Sequence, residues 1–418
     1  MRITTLRAAV ALIVLLMLGD FIFRGILPSW SSGKNDFSDP YVGAWLWRHG
    51  QNSWDSVLVS ATARRLGVST TPVVPIYPLT TYILVVPLSY LAWHSANLVW
   101  SFLTVAGACM IPWLLLGIGG FDLRENKAWL LVALAISFPP LHRAVHVGNA
   151  AVIAVALCLI AIYFAGEKRD MASAVALALA AGLKPQLGFW ILFFYFLRLR
   201  WALVGGAILS LTTLVGIAIS RVATRWPTLM TTYKDDLRYW FGPGGPNDFT
   251  AANPLHFQLV NAQVIFWQLL HDHMLANVLA IALFVTGFVV LGYASARKRI
   301  DSEALLLTAL IGLSFVAFYH SVTDVTILLL VLSWALSDTL PGARSLKRLA
   351  LFSLLLLFLP VHSFLIRTET HVSTGITSSW SWNLLIGPSY VWFLLLLNAV
   401  LLVAAVTSPP VPAKVRRS

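Results

Sequence analysis

The chain has 418 residues, 58% of them hydrophobic and only 11% charged, with 29 Lys+Arg against 17 Asp+Glu and a formal net charge of +12. Soluble domains carry about 25% charged residues, so the composition argues against a water-soluble enzyme, a nucleic-acid binder and a disordered chain. Mean hydropathy is +0.80 and the isoelectric point about 10.0, with the cations in short clusters between apolar runs, the pattern of a polytopic membrane protein.

The N-terminus carries Arg2 and Arg7 before an apolar run over 8–18. No small-x-small cleavage site follows, and bulky Phe21-Ile22-Phe23 comes next, so an uncleaved first span is expected. Apolar segments long enough for about 30 Å of hydrocarbon, or nearly so, recur at 8–27, 76–91, 96–118, 128–138, 150–165, 171–183, 187–197 and 202–220. Further ones lie at 274–294, 304–318, 322–336, 349–365 and 384–406. The expected fold is an all-α bundle of about 12–13 spans in one integral membrane domain over 1–418.

Cation clusters set the orientation. Arg2/Arg7, Lys168-Arg169, Arg198/Arg200, Arg297-Lys298-Arg299, Arg344/Lys347/Arg348 and Arg416-Arg417 fall in short loops or tails. Placing them in the cytoplasm makes the chain alternate correctly from residue 150 onward. Both termini are then inside, which demands an even number of spans. Segment 128–138, ending at Pro139-Pro140, is short enough to be half-spanning. Two loops, 28–75 and 221–273, exceed connecting length and fall outside. Each mixes Trp, charges and apolar residues, as in Trp45-Leu46-Trp47 and Tyr239-Trp240-Phe241, which predicts short helices in the membrane interface. Helices over 274–418 complete the chain.

Several polar groups interrupt this background. Asp20 and Arg24 are four residues apart in the first span, spacing for an intrahelical ion pair or for lining a cavity. Asp36 and Asp39 lie just beyond that span, where a carboxylate can take a proton from an acceptor hydroxyl; Asp39 before Pro40 also suits a turn. The stretch 138–149 combines a helix stop, His142, Arg143, His146 and a new helix start at Gly148-Asn149. His142 and His146 have metal-ligand spacing, but with no third ligand nearby an anion site built on Arg143 and a histidine fits better, and no metal is expected. Lys184, in Gly182-Leu183-Lys184-Pro185-Gln186, is the sole cation between 171 and 197; it reads as a snorkelling lysine or a phosphate ligand. His320 and Asp324 have the spacing for a charged pair or for a polar helix cap. His271-Asp272-His273 reads as a solvated loop. By the charge-derived topology Asp36, Arg143, His146, Lys184 and His320 share the outer side, which suits a lipid-linked phosphate substrate.

The order of these features resembles the GT-C class of polytopic glycosyltransferases and, more narrowly, glycosyltransferase family 87, the polyprenyl-phosphate-mannose-dependent mannosyltransferases. The residues that carry the resemblance are Asp36-Phe37…Tyr41, Ile76-Tyr77-Pro78-Leu79, Phe138-Pro139-Pro140, Gly148-Asn149, Ala180-Ala181-Gly182-Leu183-Lys184-Pro185-Gln186 and Arg198-Leu199-Arg200-Trp201. It covers the first half of the chain well and the second half in outline. The chain departs from the family at Gly148-Asn149, where Gly-Gln is common, and at Tyr77-Pro78-Leu79, where Tyr-Pro-Pro is common.

The resemblance implies a GT-C-like catalytic core over 1–220 with Asp36 as the base. It places Lys184 on the family's lysine-proline element and His320 near a later family histidine. Asp39, Tyr41, Tyr77, Arg143, His146, Asn149 and Gln186 join Lys184 and His320 as expected substrate contacts. The expected reaction is an inverting transfer of a hexose, mannose by resemblance, from a polyprenyl-phosphate donor to a lipid or glycan acceptor on the outer face of the cell membrane. No cofactor is expected; the partners are membrane lipid, donor and acceptor, with no nucleic acid. The competing class is a transporter or flippase of lipid-linked sugars, which would show internal symmetry and paired broken helices at the midplane.

Overall fold

The computed structural model describes residues 2–31, 36–68, 74–253, 256–296, 302–359 and 379–408. The basic clusters Arg297-Lys298-Arg299 and Arg416-Arg417 and the end of the 349–365 segment lie outside the described residues, as do the side chains of Arg2 and Arg7. The regular elements of the described chain are all helices, with a single isolated bridge between Leu259 and Ser321.

Four of the described helices are long and apolar enough to cross a membrane: Trp93–Gly119, Trp201–Ser220, His273–Ala296 and Ser389–Thr407. Asn126–Ile136 and Pro139–His146 pass the same test jointly, but they are bent by 47° across the break. Proline explains that break, because Pro139 and Pro140 lack the N–H groups that a continuing helix would need. Other apolar segments fold as shorter helices: Leu79–Tyr90, Ala151–Gly166, Asp170–Leu183, Pro185–Leu197, Glu303–Ala317 and Val322–Ala335. At about 1.5 Å per residue, the 13 residues of Pro185–Leu197 reach about 20 Å, short of about 30 Å of hydrocarbon. Counting apolar runs therefore gives more segments than there are helices of spanning length.

Contacts divide the chain into two compact units: 1–114 with 132–246, and 115–131 with 247–418. The last boundary between them, after residue 246, falls inside the second long loop. In the first unit Asp170–Leu183 packs against both Ala151–Gly166 and Trp201–Ser220. Its run of Ala and Gly lets backbones approach closely, as membrane helices require. The long loops do contain helices, Ser38–Arg48 and Ser56–Arg65 in the first and Trp226–Phe241 in the second. One buried cluster fastens them: Phe37, Tyr41, Trp47, Trp54, Tyr82, Trp100 and Leu229 share it, with Tyr233 packed on its edge.

In the second unit the Glu303–Ala317 helix is buried on every side. Asn398 from Ser389–Thr407 lies against Gly312 and donates its Nδ2 to the Gly312 carbonyl at 2.9 Å. A Cβ at Gly312 would sit 2.2 Å from Asn398 Oδ1. Lys347 is buried and donates to the carbonyls of Ser337 and Leu340.

Candidate active site

Asp36 begins the turn that leads into the Ser38–Arg48 helix, and two contacts fix it. Its backbone N–H donates to Val147 O at 2.6 Å, and its Oδ2 accepts from Asn149 Nδ2 at 2.7 Å. Asn149 is itself held, because its Oδ1 accepts from Ala151 N at 2.9 Å, an Asx turn that leads into the Ala151–Gly166 helix. Just before it Gly148 takes φ +65°, where a side chain would be strained, and its carbonyl accepts from Trp100 Nε1 at 2.7 Å. The Gly148-Asn149 pair thus delivers a rigid amide to the acid. Asp36 is exposed as a residue, yet protein crowds its carboxyl enough that burial pushes its pKa above the usual carboxylate range. The Asn149 hydrogen bond and the charges of Lys184 and Arg143 pull the other way.

Lys184 owes its position to a helix break. It closes the Asp170–Leu183 helix with an extended backbone (φ −143°, ψ 90°), and Pro185 opens the next. Proline cannot supply the N–H that would continue the first helix, so carbonyls at its end need other donors. Thr80 Oγ1 donates to Gly182 O at 2.8 Å, and Thr81 Oγ1 reaches Gly182 O at 3.0 Å and Leu183 O at 3.1 Å. The break is thereby stabilised, and Lys184 is held with only 7% of its surface exposed, within electrostatic reach of Asp36.

Asp39 has a different environment. Its Oδ1 accepts from Tyr82 OH and its Oδ2 from Ile76 N, each at 3.3 Å. Tyr82 reaches it because Gly43 leaves room: a Cβ there would lie 2.3 Å from the Tyr82 ring. Burial, helped by the charge of Asp36, pushes the Asp39 pKa up to about 7. The two acids that the sequence left as alternative bases are thus distinguished. Asp36 faces cations, whereas Asp39 faces a phenol and a backbone amide.

The remaining expected contacts are dispersed. Arg143 and His146 are half-buried on the Pro139–His146 helix, and the charge of Arg143 reaches both His146 and Asp36. Tyr77 is half-buried, donates its backbone N–H toward Asp39 and accepts at its carbonyl from Trp54 Nε1 at 2.9 Å. Gln186 is half-buried in the first turn after Pro185. Tyr41 is buried, packs on Phe37 and Trp93, and gives its hydroxyl to Leu91 O at 2.8 Å. His320 belongs to the second unit and is fully buried. Its ring stacks on Phe315 at 3.9 Å, with Nε2 3.1 Å from Ser314 Oγ and Nδ1 3.6 Å from Asp324 Oδ2. Asp324 also accepts from Ser321 N at 3.1 Å in a capping box, so the helix cap is realised and His320 lies beside it.

His142 is buried among other partners. It donates Nε2 to Ile136 O at 2.6 Å, and its Nδ1 lies 3.7 Å from Asp20, which pairs with Arg24 at 2.8 Å. Among the described residues no three His, Cys, Asp or Glu side chains converge as metal ligands.

Sequence reasoning missed Asp236. Leu229, Tyr233, Asp236 and Trp240 fall on one stripe of the Trp226–Phe241 helix, at i, i+4, i+7 and i+11. An acid on the apolar face of an amphipathic helix was the available signal. Asp236 is 7% exposed, and burial plus the charges of Asp39, Asp235 and Asp55 push its pKa up to about 7.

Residues 76–320 of the chain match glycosyltransferase family 87, more than half of its length. The match contains Tyr77, Arg143, His146, Asn149, Lys184, Gln186 and His320 and starts beyond Asp36, Asp39 and Tyr41. No curated protein matches the chain, and no solved structure does.

Proposed function

The chain belongs to glycosyltransferase family 87, and from that premise we propose that it moves a hexose, mannose by resemblance, from a polyprenyl-phosphate donor to a lipid or glycan acceptor on the outer face of the cell membrane. The observation that carries the proposal is the joining of Asp36, which lies outside the matched residues, to Asn149, Lys184 and Arg143, which lie within them. An acid with a raised pKa stands beside two cations.

In this reading Asp36 takes the proton of an acceptor hydroxyl, whose oxygen attacks the anomeric carbon while the bond to the donor phosphate breaks with inversion. Lys184 and Arg143 neutralise the departing phosphate. A positioned base contributes about 10²–10⁴-fold in rate, and fixed charges aimed at the leaving group act with no reorganisation during reaction. Asn149 keeps the carboxylate aimed and leaves Oδ1 of Asp36 for the proton. A raised pKa makes Asp36 a stronger base than a solvated carboxylate, provided that the nearby cations keep it ionised.

The test is incubation of the purified full-length protein with radiolabelled polyprenyl phosphate mannose and an envelope lipid extract. Wild type is expected to label a product and Asp36→Asn to abolish labelling while retaining fold and donor binding. Near-normal turnover in the variant removes Asp36 from the mechanism; no labelled product from wild type with any polyprenyl sugar overturns the reading as a whole.

A further inference from the structure

We propose that Asp39 and Asp236 form a subsite for the hydroxyl groups of the acceptor sugar, with Asp236 Oδ2 accepting a hydroxyl hydrogen. The inference rests on the transferase reading and adds to it a binding surface supplied by the second long loop.

The helix carrying Asp236 is fixed on both sides of it. Leu229 is fully buried, Tyr233 stacks on Trp54 at 4.3 Å between centroids, and Trp240 donates Nε1 to Val74 O at 2.9 Å. Asp236 is therefore held inward, and its Oδ2 has no hydrogen-bond partner among the described residues. A buried acceptor left unsatisfied is costly and rare. The charges that act on it, Asp39, Asp235 and Asp55, are all acidic. Tyr82 stands within electrostatic reach of both Asp39 and Asp236, and its hydroxyl is already given to Asp39. The Tyr233 phenol is also within electrostatic reach, yet Asp236 Oδ2 receives no donor among the described residues. A sugar supplies several, and a phosphate supplies none that these acids would tolerate.

The electrostatic neighbours also run in an order. Asp36 senses Lys184 and Arg143, Asp39 senses Asp36, and Asp236 senses Asp39. With the donor phosphate at the cations, Asp36 couples that place electrostatically to Asp39 and, through Asp39, to Asp236. Inverting attack brings the acceptor from the side opposite the phosphate, so the pair meets the acceptor. A metal ion is the other ligand that acids gather, and no third His, Cys, Asp or Glu joins them among the described residues.

The test uses full-length protein in lipid nanodiscs with Asp236→Leu, near in shape and without acceptor atoms, and Asp236→Asn, which keeps one. Saturation-transfer NMR with a panel of methyl hexopyranosides reads sugar binding without turnover. Transfer kinetics are then run with donor and extract varied separately. We expect one or more glycosides to bind wild type, with the signal lost in Asp236→Leu and partly kept in Asp236→Asn. Acceptor KM should rise about tenfold in Asp236→Leu, donor KM should stay within twofold, and the melting temperature should hold or rise because an unsatisfied carboxylate is gone.

A lower melting temperature with unchanged glycoside binding and acceptor KM would make Asp236 a structural acid. A rise in donor KM instead would move the subsite to the donor sugar, and loss of wild-type glycoside binding on chelation with EDTA would make it a cation site. Each overturns the inference. An absence of transfer alone defeats the transferase reading, whereas glycoside binding that survives Asp236→Leu defeats this one.

Discussion

Asn149 donates its side-chain amide to Asp36 Oδ2 at 2.7 Å while its own Oδ1 accepts from Ala151 N at 2.9 Å. One residue therefore closes the turn before a helix in the family-matched part of the chain and aims an acid that lies outside that part. The first prediction follows from this double role. Asn149→Ala should lower kcat about 10–100-fold with little change in donor KM, since losing orientation at a reacting group costs rate more than binding. The hydrogen bond lowers the Asp36 pKa, so removing it raises that pKa. The acid limb of the pH–rate profile should accordingly move to higher pH, and an unmoved limb would refute the assignment.

Lys184 is nearly buried at a helix break and feels the charge of Asp36. Replacing it with Met keeps the length and apolar stem but removes the charge. A hydrogen bond to a charged group contributes about 1.5–3 kcal/mol, so donor KM should rise about 10–100-fold. Lys184→Arg should recover part of this, because the charge returns on a bulkier head. Donor titration by intrinsic tryptophan fluorescence separates binding from turnover.

Folding stability should depend on the ionisation of Asp39. Its pKa rises from 3.8 to about 7 in the folded protein, so between about pH 4 and 7 the native state binds more protons than the unfolded state. Stability then falls as pH rises through that window, and the contribution is fully present only below pH 4. Melting temperatures from pH 4 to 8 should decline with pH in wild type and decline less in Asp39→Asn, since Asp36 and Asp236 share the direction. Identical slopes would show that Asp39 is not protonated in the fold.

Gly43 lets Tyr82 reach Asp39. A methyl group at 43 would sit 2.3 Å from the Tyr82 ring, so Gly43→Ala should destabilise the first unit by about 1–3 kcal/mol through overpacking. Combining it with Tyr82→Leu, which makes room, should restore much of the stability. Chemical denaturation of single and double variants measures both terms, and additive losses would rule out direct contact.

Much of the helical organisation was legible in the sequence. The helix break at Lys184-Pro185 and the stop at Pro139-Pro140 follow from the missing proline N–H, and the loop helices from mixed Trp and charge patterns. The number of full spans was not legible, because an apolar run does not state whether lipid or neighbouring helices cover it. Asp36 stood out through its place after the first span, and Asp236 did not, although its position on a buried stripe was readable.

By itself the sequence determined an all-helical, membrane-embedded chain, since so few charges cannot clothe a soluble globule and each apolar run satisfies its backbone within its own helix. Only the tertiary structure decided the companions of each acid. Asp36 meets an amide 113 residues away, while the charge of Asp39 acts on Asp236 from a different loop. The proton affinity of a carboxyl is set by burial and nearby charge, and both come from residues remote along the chain.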